Sequence, residues 1–288
     1  MNFFTGTGTK LEMAAKSDLE NIKPIAGGGK KVPWDTVIHR GWVSGAKENT
    51  IPAFHLAKEN GYDWAECDVR FSSDGVAVLA HNMSISNEDG STYLTVAENT
   101  VQQLKTLTLQ THATYGNITM PTLTELLDMA RLIGLNILID IKAGTAANMA
   151  SLAQDVLCSG WASHVVYMPN GVTNAAAIAA VDRNASFDFV TSIDTVEALP
   201  DFAPYQALLT GANTVGFDFN TTQTDLGGGM DPAIFDAVRA AGLSISFWNI
   251  RSSAYIKYMD QGPLRITKQN TADAIDLDTM YLESKRFW

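Results

Sequence analysis

The chain has 288 residues, of which 46% are hydrophobic, and a formal net charge of −11 at pH 7. This size suits a single α/β barrel, for which about 250 residues is typical. The negative net charge argues against nucleic acid or an anionic membrane surface as the main partner, because both bind preferentially to clustered Lys and Arg. The only two cysteines, Cys67 and Cys158, are too few for a disulfide framework, and we expect both to be buried thiols.

The sequence carries no sign of a membrane segment. No apolar run reaches the roughly 18 residues that a spanning helix needs, so we expect no stable membrane insertion. The N-terminus, MNFFTGTGTKLEM, lacks the basic start and apolar core of a signal peptide. These features favour a cytoplasmic protein, or a secreted or periplasmic one if a leader has been removed; they leave the oligomeric state open.

The first predicted elements are a helical patch at residues 11–22 and a break at the glycines 27–29. We interpret residues 1–34 as an N-terminal extension. A strand then leads into His39, an apolar helical stripe begins at residue 51 and ends at Gly61, and an alternating strand runs over residues 64–71. Residues 72–75 turn that strand, and residues 76–80 return it to His81.

The strand over residues 64–71 carries two carboxylates on one face. Residues two apart in a strand point the same way, so Glu66 and Asp68 share a face and Cys67 faces the packing side. Two adjacent carboxylates repel each other, and a bound divalent cation relieves that repulsion. Mg²⁺ and Ca²⁺ are hard ions that prefer such oxygens, and the pattern does not choose between them.

A polar segment, residues 82–120, follows His81 and is predicted to be an insertion that shapes the substrate opening, with one helix at residues 101–107. Thr122 and Glu125 have the spacing of a capping box and start the next helix. Strands and helices then alternate. The candidate strands are residues 136–141, 164–168, 186–191, 214–219, 243–248 and 264–267, and the candidate helices are residues 146–158, 174–181, 232–241 and 253–259.

Together with the strands that carry His39 and Asp68, these make eight strands in βα order. The count predicts an α/β fold, a (β/α)₈ TIM barrel with an insertion after the second strand region, and a single domain over residues 35–288. In such a barrel the functional groups lie at the C-terminal ends of strands. Asp140 and Lys142 meet that rule and share one face of their strand.

The order of short motifs resembles the glycerophosphodiester phosphodiesterase family. The motifs are His-Arg-Gly at 39–41, Glu-Asn-Thr at 48–50, Glu-Cys-Asp-Val at 66–69, Asp-Gly at 74–75 and then His81. The resemblance covers about residues 35 to 270. It implies a TIM barrel that requires a divalent metal and cleaves a small-molecule glycerophosphodiester.

This sequence also departs from the family pattern at several positions. The family usually has Glu-Ile-Lys, with Glu on the metal and Lys near the phosphate, where this chain has Asp140, Ile141 and Lys142. Asn82 stands where the family often has Asp, and Lys268 where many members have Asp. The family's Trp-Thr-Val appears as Trp248-Asn249-Ile250, which keeps an aromatic side chain as a possible substrate wall.

The chemistry expected of these residues follows from what a phosphodiester demands. A metal held by Glu66, Asp68 and Asp140 would neutralise the charge that grows on phosphorus, and two cations would assist it. The phosphate-binding cations are Arg40 and Lys142. We also expect Arg40 to pair with Glu48.

His39 and His81 suit the base and the acid, because imidazole titrates near neutral pH. The sequence does not say which histidine takes which role. A hydroxyl beside the phosphate could attack first and give a cyclic phosphate, which water then opens.

Two other functions stay open. A lysophospholipase D or sphingomyelinase D-like enzyme would use similar chemistry, although the polar insertion offers little for a lipid chain. A catalytically silent binding barrel is disfavoured because every expected charged role has a residue. Asp218 ends the sixth barrel strand and is either a polar contact of the site or structural. No role is assigned to the remaining histidines, which are His55, His112 and His164.

Overall fold

The computed structural model describes residues 35–193, 195–220, 231–250 and 265–268. Its strands, in chain order, are β1 (Asp35–His39), β2 (Trp64–Phe71), β3 (Ala77–Leu79), β4 (Ser84–Ser86), β5 (Tyr93–Thr95), β6 (Gln110–His112), β7 (Gly116–Ile118), β8 (Asn136–Ile141), β9 (Val165–Met168), β10 (Ser186–Thr191), β11 (Val215–Asn220), β12 (Ser244–Ile250) and β13 (Arg265–Lys268). Its α-helices are α1 (Ile51–Glu59), α2 (Val101–Leu104), α3 (Leu123–Ile133), α4 (Ala146–Cys158), α5 (Val172–Ala179), α6 (Ala203–Gln206) and α7 (Pro232–Ala240).

Eight of these strands form a closed parallel barrel. The neighbours in the ring run β1, β2, β8, β9, β10, β11, β12 and β13, and β1 pairs in parallel with both β2 and β13 to close it. The TIM-barrel prediction is therefore confirmed. Strand β3 pairs antiparallel with the C-terminal end of β2 and leads into the insertion.

The predicted bounds of the barrel strands agree closely with the structure, whereas the helix predicted at 101–107 ends at Leu104 and the helix predicted at 174–181 runs over Val172–Ala179. Strands β2, β8 and β10 and helix α4 have the predicted bounds, and the other described barrel strands differ from prediction by at most two residues. The predicted helix at 253–259, the extension 1–34 and its glycine break lie outside the described residues. The division into an extension and one barrel domain stays a prediction.

Local chemistry explains where helix α3 begins and ends. The Thr122 side chain accepts from the Glu125 backbone N–H, and the Glu125 carboxylate accepts from the Thr122 N–H, so the predicted capping box is confirmed. Gly134 ends the helix with φ of +69°, a left-handed conformation that glycine adopts without steric cost. The apolar face of α3 then packs on the barrel through Leu126 and Leu127, which are buried.

The hydrophobic core lies mainly between the strands and the surrounding helices. Phe219, Phe235 and Phe247 meet there, with Phe235 edge-on to each of the other two. The barrel interior holds a smaller apolar group, which includes Val37 and Leu138. The interior of β10 to β13 is polar instead, a departure from the branched apolar filling usual in this fold.

The cysteine prediction is half right. Cys67 is fully buried on the packing side of β2, as expected. Cys158 is exposed, so the prediction of a buried thiol is wrong there. It is the last residue of α4, and the buried stripe of that helix passes through Leu152 and Val156 instead. Among the described helices, none has both the length and the apolar character to cross a bilayer.

The insertion contains two antiparallel hairpins, β4–β5 and β6–β7, and helix α2. The β6–β7 hairpin contacts the loop after β1. Gln110 Oε1 accepts from the Lys47 N–H at 2.7 Å, and His112 Nε2 lies 3.0 Å from the Gly45 carbonyl. The backbone N–H groups of Thr114 and Tyr115 both point at His112 Nδ1, so Nε2 carries the proton and donates to Gly45.

Candidate active site

Three neighbouring strands bring the predicted site residues together. In the barrel ring β1 lies beside β2 and β2 beside β8, with His39 opposite Glu66 and Asp68 opposite Asp140. Because the strands are parallel, their C-terminal ends meet at one edge of the barrel. Residues that are far apart in sequence therefore line one opening.

The three carboxylates form a compact acidic cluster. Glu66, Asp68 and Asp140 each offer an oxygen within 4.8 Å of the other two. Burial raises the pKa of Glu66 well above its usual value, and the charges of Asp68 and Asp140 raise it further. Burial also raises the pKa of Asp140, although Lys142 opposes that shift. Holding all three ionised therefore requires positive charge nearby.

Two cationic side chains supply part of that charge. Arg40 Nε lies 3.0 Å from Asp68 Oδ2, and Lys142 Nζ lies 2.9 Å from Asp68 Oδ1 and within hydrogen-bond distance of Asp140. Although burial acts against it, Lys142 and Arg40 lower the pKa of Asp68. Arg40 Nη1 also donates to Glu48 at 3.1 Å, so the expected Arg40–Glu48 contact is present.

The backbone at Arg40 takes part in the cluster as well. Arg40 has φ of +57°, and its N–H donates to Glu66 Oε2 at 2.9 Å. Gly41 follows with φ of +79°, and a Cβ there would come within 2.8 Å of the Ala53 backbone in helix α1. The glycine of the His-Arg-Gly motif thus lets helix α1 approach closely, and this turn directs the Arg40 N–H at Glu66.

Asn49 orients Asp68 through a contact that was not predicted from the sequence. The Asn49 side chain donates to Asp68 Oδ2 at 2.7 Å, and its Oδ1 accepts from the Asp68 backbone N–H at 3.0 Å. Asn49 is buried and has φ of +56°. The only sequence signal was its place in the Glu-Asn-Thr motif, since an asparagine adopts this left-handed conformation more readily than most residues.

The two histidines stand in different surroundings. His39 Nε2 lies 3.7 Å from Glu66 Oε2. Burial, followed by the charge of Arg40, lowers the pKa of His39 to about 4, so the ring is neutral at neutral pH and can accept a proton. His81 lies after β3, and its Nδ1 faces Asn82 Oδ1 at 3.1 Å. The amide of Asn82 thus contacts the ring where the family often has a carboxylate.

The acidic cluster fits a hard divalent cation. Glu66 is 2% exposed and Asp68 is fully buried. Within the described part of the chain, Glu66 Oε1 has no hydrogen-bond partner, which is costly for a buried carboxylate oxygen unless another group binds it. Three carboxylates are the donor type that Mg²⁺ and Ca²⁺ prefer, and the set does not select one ion.

The structure also places three other residues noted in the sequence. Trp248 is half-buried near the C-terminal end of β12, on the strand beside β11, and its role as a substrate wall stays a prediction. Lys268 belongs to β13, and its side chain lies outside the described part of the structure. His164 stacks on Trp161 and bonds Asn136, at the opposite end of the strands.

A buried polar group fills the barrel below the site. Arg265 forms a two-pronged ion pair with Asp188, at 2.9 and 3.1 Å, and Ser246 Oγ donates to the same carboxylate at 3.2 Å. Asp218 is 1% exposed, and among the described residues neither of its carboxylate oxygens has a hydrogen-bond partner. The Asp188–Arg265 pair was not predicted from the sequence, because the partners lie 77 residues apart.

Asp218 gives a prediction for stability. Burial and the charges of Asp188 and Asp140 raise its pKa well above the usual value, and Arg265 only partly opposes this. Above about pH 4 the unfolded chain releases this proton while the folded chain keeps it, so the group lowers the free energy of unfolding as pH rises. We expect Asp218→Asn to be more stable than the parent at pH 8, by about 0.5–3 kcal/mol, with a smaller gain at pH 5.

Urea unfolding of both proteins at the two pH values measures this difference. Asp236→Asn is the matched control, because its side chain is 82% exposed. An Asp218→Asn variant that gains no stability over the parent between pH 5 and pH 8 would contradict the assignment.

Comparison with known proteins agrees with the motifs. The model of the glycerophosphoryl diester phosphodiesterase family matches residues 39–264. Among curated proteins, rat glycerophosphodiester phosphodiesterase 1 is 34% identical over 122 residues, which cover 41% of this chain and 36% of the rat protein. An Arabidopsis thaliana glycerophosphodiester phosphodiesterase is 31% identical over 121 residues, 41% of this chain and 37% of that protein. The matched segment thus spans little more than a third of the length of each of these two relatives.

Solved structures share the fold over most of the chain. A glycerophosphodiester phosphodiesterase from Parabacteroides distasonis has a TM-score of 0.67 at 17% identity, with 89% of this chain and 100% of that chain covered. An Oleispira antarctica phosphodiesterase in complex with the product sn-glycerol-3-phosphate has a TM-score of 0.65 at 20% identity, with 88% and 96% covered. The family match over residues 39–264, on a barrel whose acidic cluster and two histidines meet at one edge, places this chain in the glycerophosphoryl diester phosphodiesterase family.

Proposed function

We propose that this protein hydrolyses glycerophosphodiesters to glycerol 3-phosphate and an alcohol. The observation that carries the proposal is the acidic cluster of Glu66, Asp68 and Asp140 with Arg40 and Lys142 directly on it. A phosphodiester is an anion that gains negative charge when phosphorus is attacked, so a site that joins a cation-binding cluster to two fixed cations suits that transition state.

Glu66, Asp68 and Asp140 would hold one divalent cation, either Mg²⁺ or Ca²⁺. When bound, such an ion polarises a phosphoryl oxygen and offsets charge that develops there. The chain's own part is to orient the ligands and the substrate. Asn49 fixes Asp68 through two hydrogen bonds, and Arg40 and Lys142 would bind the phosphate oxygens.

We propose that His39 and His81 carry the proton transfers. The nucleophile must lose a proton and the departing alkoxide must gain one, and a pair of imidazoles on either side of the phosphate serves both needs. The nucleophile proposed for the first step is the substrate's own hydroxyl next to the phosphate, which gives a cyclic phosphate and releases the alcohol. Water then opens the ring to glycerol 3-phosphate, so the enzyme is regenerated.

A product assay tests this function. The purified chain is incubated with glycerophosphocholine, glycerophosphoethanolamine, glycerophosphoinositol or a lysophospholipid, with Mg²⁺, with Ca²⁺ or with chelator, and ³¹P NMR follows the phosphorus. We expect a phosphomonoester with one of the two metals and no product with chelator. A stable cyclic phosphate from a lysophospholipid would indicate a lysophospholipase D or sphingomyelinase D-like enzyme instead, and no turnover of any substrate would indicate a binding barrel.

The cyclic route makes a separate prediction. An analogue that lacks the hydroxyl next to the phosphate should still bind, because its phosphate is intact, but should turn over more slowly. The expected defect is in kcat rather than KM, since the lost hydroxyl acts in the transition state. Steady-state kinetics on the paired substrates measure it. Equal kcat for the two compounds would rule out the cyclic route and favour direct attack by water.

A further inference from the structure

Arg70 makes an unusual contact with the backbone of one of the site histidines. Its Nε and Nη2 both donate to the carbonyl oxygen of His81, at 2.9 and 2.8 Å. Two donors of a planar guanidinium on one acceptor fix direction as well as distance, in a way that a single donor does not. The role of Arg70 was not assigned from the sequence.

The position of Arg70 follows from strand geometry. Glu66, Asp68 and Arg70 lie two residues apart on β2, so all three side chains leave the same face of the strand. Arg70 therefore extends the row of site residues by one position toward the C-terminal end of the barrel. From there its guanidinium reaches the segment that leaves β3.

His81 needs such support because it lies just past a sheet. The β2–β3 ladder pairs Val69 with Leu79, and its last backbone contact is the Ala80 N–H to the Asp68 carbonyl at 3.0 Å. After Ala80 the chain turns into the insertion. The Arg70 bonds hold the first residue beyond that ladder, while Asn82 holds the Nδ1 side of the His81 ring.

We propose that Arg70 is a positioning residue that fixes the backbone of His81 and, through it, the proton-transferring imidazole. The inference rests on the proposed function, in which His81 transfers a proton. Arg70 acts on kcat and not on substrate binding, because it touches the histidine's backbone. A misplacement of a reacting group by about 1 Å is enough to lower turnover by about 10²-fold.

A double-mutant cycle tests whether Arg70 acts through His81. Arg70→Met keeps an unbranched side chain but removes every donor, and it is made in the parent and in His81→Gln. We expect Arg70→Met to lower kcat by about 10²-fold in the parent with KM little changed. In the His81→Gln background the same change should have almost no further effect. Arg131→Met, an exposed arginine in the last turn of α3, is the matched control.

Three results would overturn the proposal. Equal losses of kcat in the two backgrounds would show that Arg70 acts independently of His81. A rise in KM with kcat unchanged would make it a binding residue, and unchanged kinetics would leave it no role. If Arg70→Met does not fold, Arg70→Lys takes its place in the cycle with a smaller expected loss, because lysine keeps a single donor nitrogen in place of the planar pair.

The histidine ring gives a readout that does not need turnover. In ¹H–¹⁵N spectra of histidine-labelled protein, we expect Arg70→Met to shift the ring signals of His81 and leave those of His164 unchanged. Arg131→Met should move neither. This spectrum tests the positioning role of Arg70 separately from the proposed function, because the His81 signals would shift even if no glycerophosphodiester is a substrate. Unchanged His81 signals in a folded Arg70→Met protein would refute the positioning role.

Discussion

Replacing His39 or His81 with glutamine is expected to lower kcat by about 10²–10⁴-fold in each case, with the chain still folded. Glutamine can donate and accept hydrogen bonds but does not titrate, so proton transfer is lost while polar contacts remain possible. The half-buried position of both rings supports this choice, because neither belongs to the hydrophobic core.

The measurement is kcat on a glycerophosphodiester, with the unfolding midpoint of each variant determined beside it. His55→Gln is the matched control, since His55 lies on helix α1 and contacts Glu59 at 3.7 Å rather than the acidic cluster. A fall in activity that simply follows loss of the folded signal would make the two histidines structural. Full activity in either variant would remove that histidine from the mechanism.

Replacing Asp68 with asparagine is expected to abolish both divalent-cation binding and turnover. Asp68 is fully buried and lies 3.0 Å from Arg40 and 2.9 Å from Lys142, so the change removes the carboxylate that these two half-buried cations share. Removing one member of a fully buried ion pair typically costs about 3–5 kcal/mol. Arg40 and Lys142 are half-buried and keep Glu48 and Asp140 as partners, so we expect a smaller loss of stability in chelator.

Calorimetric titration with Mg²⁺ and Ca²⁺ measures binding, and urea unfolding in chelator measures stability. Asp63→Asn is the matched control: Asp63 pairs with Lys58 at 2.7 Å, but its side chain is 77% exposed, and such pairs contribute little. An Asp68→Asn protein that binds the ion as tightly as the parent would show that the cation site lies elsewhere.

The barrel was predictable because its signals are local and repeated. Short apolar strands alternate with helices, and period-two spacing places Glu66 with Asp68, and Asp140 with Lys142, on single faces. Once the strands are parallel neighbours in a ring, the ends that carry those residues must meet. The acidic cluster therefore followed from the pattern of two strands and the fold class together.

The supporting contacts were not predictable in the same way. Asn49 reaches Asp68 because its backbone is left-handed, and Arg70 reaches the His81 carbonyl because β3 folds back along β2. The Asp188–Arg265 pair joins strands that are distant in sequence. Cys158 was wrongly predicted to be buried because only half a turn of helix separates it from the buried Val156, and hydrophobicity alone did not locate that boundary.

The hydrogen bonds between the β6–β7 hairpin and the loop after β1 have a consequence for protein engineering. Gln110 and His112 bind backbone groups of Lys47 and Gly45, and this same loop carries Glu48, the partner of Arg40. Residues 40–48 and the β6–β7 hairpin are consequently held together as one structural unit. A chimera that receives the insertion of a relative should therefore also receive that relative's loop corresponding to residues 40–48. A hairpin without side chains equivalent to Gln110 and His112 would not form hydrogen bonds with the backbone of this loop.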